Sequence, residues 1–151
     1  MKYIYEKRDL FTLNNNYILA HCISSDFVMG GGIALLFTKR GVKQKLLDTY
    51  PKSWNNHGYC LPTFMKNHIV INLVTKEKVY HKPTYETLKE SLIDLRIWLL
   101  RAYNIGQIKE LKVGMPLIGC GLDLLEWTKV ESIIKEVFKN TDIEIYICEW
   151  P

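Results

Sequence analysis

Apolar runs of strand character alternate with helical stripes along most of this chain. That alternation limits its fold more than any other feature. Tyr3-Ile4-Tyr5 is a short strand candidate, and Tyr17-Ile18-Leu19-Ala20 reads as a buried one. Residues 69–74, Ile-Val-Ile-Asn-Leu-Val, are rich in β-branched types and give the strongest strand signal. Residues 111–115 and 143–147 follow. The last of these alternates strictly, which predicts one solvated face. Leu88, Leu92, Leu95 and Leu99 share one helical face, with Pro83 and Thr84 as the start signal. Val130, Ile133, Ile134, Val137 and Phe138 form a second stripe ending near Asn140. Thr128 and Glu131 make a capping-box pattern just before it. A third helix opens at Gly32-Ile33-Ala34 and runs to Phe37; a fourth covers residues 42–50 and is stopped by Pro51. Strands alternating with helices imply an α/β chain with a mostly parallel sheet and helices on both faces. Ligands of such sheets bind at the carboxyl ends of the strands.

The 151 residues suit one domain spanning 1–151. A chain of this size buries about 70% of its unfolded surface, so it needs no disulfide or metal staple. With 48% hydrophobic and 24% charged residues, collagen-like, low-complexity and disordered classes are excluded. Cys22, Cys60, Cys120 and Cys148 are too far apart for a zinc knuckle and read as reduced thiols, which predicts a cytoplasmic or nuclear protein. No apolar stretch is long enough for a membrane span, and the first residues carry no signal core. The net charge of +4 favours an anionic ligand over a cationic one, fits a role in solubility alone at least as well, and leaves a weak secondary affinity for nucleic acid open. Nothing resembles a coiled coil or swap motif, so a monomer is expected.

Two glycine-rich turns sit at strand ends. Met29-Gly30-Gly31-Gly32-Ile33-Ala34 precedes the third helix. Without Cβ atoms its N–H groups can approach a phosphate closely, and the helix start adds partial positive charge. The same run also suits a plain tight turn. It is neither a P-loop nor the dinucleotide fingerprint. Pro116-Leu117-Ile118-Gly119-Cys120-Gly121-Leu122-Asp123 repeats the arrangement after another strand, so the two turns together suggest a clamp on a diphosphate.

These loops, with Ala20-His21-Cys22-Ile23-Ser24, Thr75-Lys76 and His81-Lys82-Pro83-Thr84-Tyr85-Glu86, resemble the macro domains, and among them the branch that removes ADP-ribose from proteins. The resemblance spans residues 7–147 and implies a three-layer α/β/α macro-domain fold with a mixed, mostly parallel central sheet. It implies ADP-ribose and ADP-ribosylated proteins as partners, with no metal and no cofactor. By the same resemblance Asp9 and Leu10 match an adenine-contacting turn, and Ser24 lies near the distal ribose. His21, Met29, Gly30, Gly31, Gly32, Ile33, Ile118, Gly119, Cys120, Gly121 and Leu122 match substrate-binding positions. Lys76 matches a catalytic lysine and Asp123 a catalytic aspartate. The implied activity cleaves the ester between a protein carboxylate and the ribose anomeric carbon, and deacylates O-acyl-ADP-ribose.

Some positions depart from the family. Arg8 stands where glycine is common, and Gly31 where alanine is common. Residues 20–24 hold no asparagine and residues 33–40 no paired glutamates, so two other macro-domain branches fit less well. Trp150 suits either adenine stacking or edge packing.

In chemical terms, an amine attacks only when unprotonated, and a carboxylate across the cleft can take its proton. Lys76 and Asp123 have those residue types. Taken alone, each also reads as an ordinary surface or loop residue, and His21 reads more readily as packed against the sheet end. Two alternatives remain at this point: a module that binds ADP-ribose without cleaving it, and a hydrolase of ADP-ribose attached to nucleic acid.

Overall fold

The computed structural model describes residues 1–50 and 56–151. Pro51, expected to stop the fourth helix, lies outside them. Six strands form one sheet: β1 (Lys2–Lys7), β2 (Ile18–Ser24), β3 (Tyr59–Phe64), β4 (Ile69–Lys76), β5 (Lys112–Met115) and β6 (Glu144–Glu149). Their order across the sheet is β1-β6-β5-β2-β4-β3. All neighbours are parallel except β3 with β4. The sheet is thus mixed and mostly parallel, as expected.

Alternate strand residues point to opposite faces, and each face meets its own helices. On one side Ala20, Ile71, Leu73, Met115, Ile145 and Ile147 pack with α3 (Tyr85–Asn104) and α4 (Trp127–Phe138). On the other, Leu19, Ile23, Val70 and Val74 pack with α1 (Gly32–Lys39), α2 (Val42–Thr49) and a short 3-10 turn, Leu10–Thr12. The result is three layers, α/β/α. No described helix is long and apolar enough to cross a membrane.

Thr84 caps α3 as the sequence suggests: its hydroxyl accepts from the Thr87 N–H at 3.0 Å, and the Thr87 hydroxyl accepts from the Thr84 N–H at 3.0 Å. Two expectations need correction, and one strand was not expected. The capping box at Thr128 does not form, because α4 already begins at Trp127 and its cap, Glu126, makes no side-chain bond. β6 has no solvated face, because Ile145 and Ile147 pack in the core on the α3 side and Tyr146 and Cys148 in the core on the α1 side. Its polar residues are covered and paired: Glu144 accepts from the Tyr17 hydroxyl, and the Tyr146 hydroxyl accepts from Arg8 Nη1 at 3.1 Å. Strand β3 was not foreseen, because Pro62 interrupts its pattern; as an edge strand it tolerates a residue with no N–H to donate.

Candidate functional site

A cleft of about 670 Å³ opens at the carboxyl ends of β2, β4 and β5, a volume typical of small-molecule sites. The two glycine turns form opposite walls. At the end of β2 the chain turns through Ser24, Ser25 and Asp26. Asp26 gathers this turn: its carboxylate accepts from the Ser24 hydroxyl, from the Val28 N–H at 3.2 Å and from the Val79 N–H at 3.0 Å. Burial alone would raise the Asp26 carboxyl. The hydrogen bonds from Ser24, Val79 and Val28, with the nearby Lys78, outweigh burial and hold it below its ordinary value. Phe27 is buried at φ 57°, a conformation large residues seldom adopt, and so anchors the approach to the glycines.

Gly32 opens α1 at φ +57°, where a side chain would be strained. Across the cleft, Gly119 sits at φ +73°, and a Cβ there would meet Leu125 Cδ1 at 2.9 Å. Among the described residues, the N–H groups of Gly30, Gly31, Gly121 and Leu122 have no acceptor. Free backbone donors on both walls, one set at a helix start, make an anion cradle. The walls nearly touch over Gly31, where an added Cβ would lie 3.1 Å from Leu122 Cδ1.

Lys76 ends β4. A register shift leaves one extra β4 residue beside Ile23 and Ser24, so Lys76 rather than Thr75 lies opposite Ser24. Bulges of this kind re-aim side chains beside functional sites. Lys76 Nζ lies 2.6 Å from Asp123 Oδ1, with 12% and 15% of the two side chains exposed. Lys82 Nζ donates to the Leu122 carbonyl at 2.7 Å and ties the loop after β4 to the second glycine wall.

The thiols in the cleft are poor nucleophiles. Burial pushes the Cys22 thiol well up and the Cys120 thiol up to about 11. Among the described residues, no group of three or more His, Cys, Asp or Glu is arranged to hold a metal ion.

Most of the expected site residues line this cleft: Ser24, Met29, Gly30, Gly31, Gly32, Ile33, Lys76, Ile118, Gly119, Cys120, Gly121, Leu122 and Asp123. Trp150 lines it too, half exposed. Three expected residues do not. Asp9 accepts from the Phe11 N–H at 2.9 Å and caps the 3-10 turn. Leu10 is fully buried in the core on the α1 side of the sheet. His21 is fully buried, stacked on Phe37 of α1 at 3.9 Å. Its Nε2 lies 2.6 Å from Asn72 Oδ1. The Asn72 amide nitrogen donates to the Leu61 carbonyl and to Thr63, so Asn72 Oδ1 accepts and His21 Nε2 donates. Burial pushes the imidazole down to about 4, the Asn72 bond opposing. His21 therefore supports the helix that carries the first glycine wall. The bracing by Asp26 and Lys82 was missed; Ser-Ser-Asp at the end of β2, three residues before the glycines, was the available signal for Asp26.

No family model matches the chain. It is 42% identical over 144 residues, covering 95% of this chain and 88% of the relative, to the ADP-ribose glycohydrolase OARD1 of Homo sapiens. The macrodomain of Thermus aquaticus DarG superposes with a TM-score of 0.80 at 20% identity, over 97% of both chains. Thermosipho africanus DarTG, solved in complex with ADP-ribose, superposes at 0.76 and 19% identity over 99% of this chain and 42% of that one. On fold, cleft and sequence together, the chain belongs to the macrodomain family, with the ADP-ribose glycohydrolases.

Proposed function

We propose that the chain is an ADP-ribosyl hydrolase that releases ADP-ribose from carboxylate esters on proteins and deacylates O-acyl-ADP-ribose. The observation that carries this reading is the Lys76–Asp123 pair, 2.6 Å apart between two walls of free backbone N–H groups. A module that only binds needs the walls and not the pair.

The diphosphate rests on the N–H groups of the two glycine turns, aided by the start of α1. The distal sugar then lies at Lys76. Asp123 accepts a proton from the amine, freeing its lone pair. The amine attacks C1″; the N–C1″ bond forms and the C1″–O bond to the carrier breaks, releasing a carboxylate. Water, with Asp123 moving the proton, then cleaves the lysyl adduct to free ADP-ribose and the amine. The family resemblance and the human relative's activity support this scheme.

The test is Lys76→Ala. It should abolish release from a glutamate-modified peptide while ADP-ribose at a hundred times its Kd still stabilises the fold by about 2.7 kcal/mol. Full activity in that variant would reject the lysine mechanism. Asp123→Ala should stop turnover or accumulate an adduct visible in the intact mass.

A further inference from the structure

Beside the reacting pair the chain keeps apolar side chains in water where its own packing gives no reason for them. Leu124, next to Asp123, is held at φ 62° and is 76% exposed. Its Cβ disfavours that backbone region, and no burial compensates. Tyr80 is also 76% exposed, its ring edge-on to His81 at 4.8 Å. Val28, Val79 and Leu122 are exposed as well and line the cleft. These five residues come from the loops after β2, β4 and β5.

The loops are braced to one another. Val79 N–H binds Asp26, Lys82 binds the Leu122 carbonyl, and the Tyr85 hydroxyl accepts from the Glu126 N–H at 3.0 Å. Scattered exposed apolar residues are ordinary. An apolar rim on three cross-braced loops, strained at the residue beside Asp123, marks a contact surface.

What covers the rim follows from its place. If the cleft holds ADP-ribose as proposed above, the bond to the carrier lies at Lys76, and the carrier must lie across this mouth. A phosphodiester carrier would be met by cations. Around the rim Lys78, Lys82 and Lys129 stand against Glu77 and Glu126, with Lys82 bonded to the Leu122 carbonyl and Lys129 paired with Glu126 at 3.2 Å, which leaves no row of unpaired cations. We infer that the rim formed by Val28, Val79, Tyr80, Leu122 and Leu124 docks the carrier polypeptide and grips apolar side chains that flank its modified carboxylate. This inference rests on the glycohydrolase reading of the cleft.

The experiment compares Tyr80→Ser, Leu124→Asn and the double variant on two substrates sharing one ADP-ribose group. One is a polypeptide modified on a glutamate flanked by leucines, the other O-acetyl-ADP-ribose. Each single change should lower kcat/KM on the polypeptide about fivefold, and the double change about twentyfold. Turnover of O-acetyl-ADP-ribose should stay within about twofold of the parent's on the same scale. Leu124→Asn should melt no lower than the parent, because asparagine accepts the left-handed region. Equal losses on both substrates, or no loss on the polypeptide, would overturn the inference. So would an equal loss on ADP-ribosylated single-stranded DNA. If the parent cleaves neither substrate, the reading of the cleft fails separately; the rim is then judged by whether the double variant still binds the modified polypeptide about twentyfold more weakly.

Discussion

Acid should unfasten this protein through His21. The imidazole is fully buried and neutral, bonded through Nε2 to Asn72 and stacked on Phe37. Burial pushes it down to about 4 in the folded chain, against about 6.5 in an unfolded one. The unfolded state therefore binds the proton first. The stability that depends on neutral His21 is complete above pH 6.5 and is lost as pH falls toward 4. At pH 5 the loss from this one group is about 2 kcal/mol, rising to about 3 kcal/mol below pH 4. Carboxylates titrate in the same range, so the reference is His21→Gln, which has no proton to gain. Urea unfolding of both proteins at pH 7.5 and pH 5.0 gives the contrast. The parent should lose about 2 kcal/mol more than the variant, or about 4–8 °C in Tm. A contrast below about 0.5 kcal/mol would show that His21 protonates alike in both states and refute the argument. Imidazole proton shifts of the folded parent give a direct reading, and a titration near pH 6.5 would refute it equally.

Two further outcomes follow from side-chain contacts. Lys76→Met and Asp123→Leu should each destabilise by about 2 kcal/mol, between the values for exposed and fully buried pairs. The double variant should lose less than the sum, because neither charge is left alone; additive losses in thermal melts would contradict the pairing. Gly114 in β5 lies beneath the 3-10 turn, and a Cβ there would come within 2.3 Å of Leu13 Cδ1, whereas one at Gly30 meets nothing within 4 Å. Gly114→Ala should therefore cost about 1–3 kcal/mol and Gly30→Ala far less, and equal melting temperatures would refute the packing.

Local pattern carried much of this molecule and long-range pairing carried the rest. The β-branched run of β4 and the leucine stripe of α3 are legible because each is a local periodicity facing one core. β6 misleads because its alternate polar residues are covered by partners far along the chain, Tyr17 and Arg8, which periodicity cannot show. Thr128 and Glu131 have capping-box spacing, but the helix starts earlier, so spacing alone did not locate the cap. At the cleft, Gly32 and Gly119 announce themselves because few other residues tolerate their left-handed conformations. The meeting of Lys76 and Asp123, 47 positions apart, came only through resemblance. His21 sat in the right motif yet faces α1, since one step along a strand reverses the side chain's face.

The mouth of the cleft is laced from two directions, by Asp26 on one loop and by Lys82 on the other. Such a frame meets its ligand already shaped, with little ordering left to perform on arrival. Capture should then be set by diffusion and charge, and shortened nucleotide analogues should differ in how quickly they depart, not in how quickly they enter.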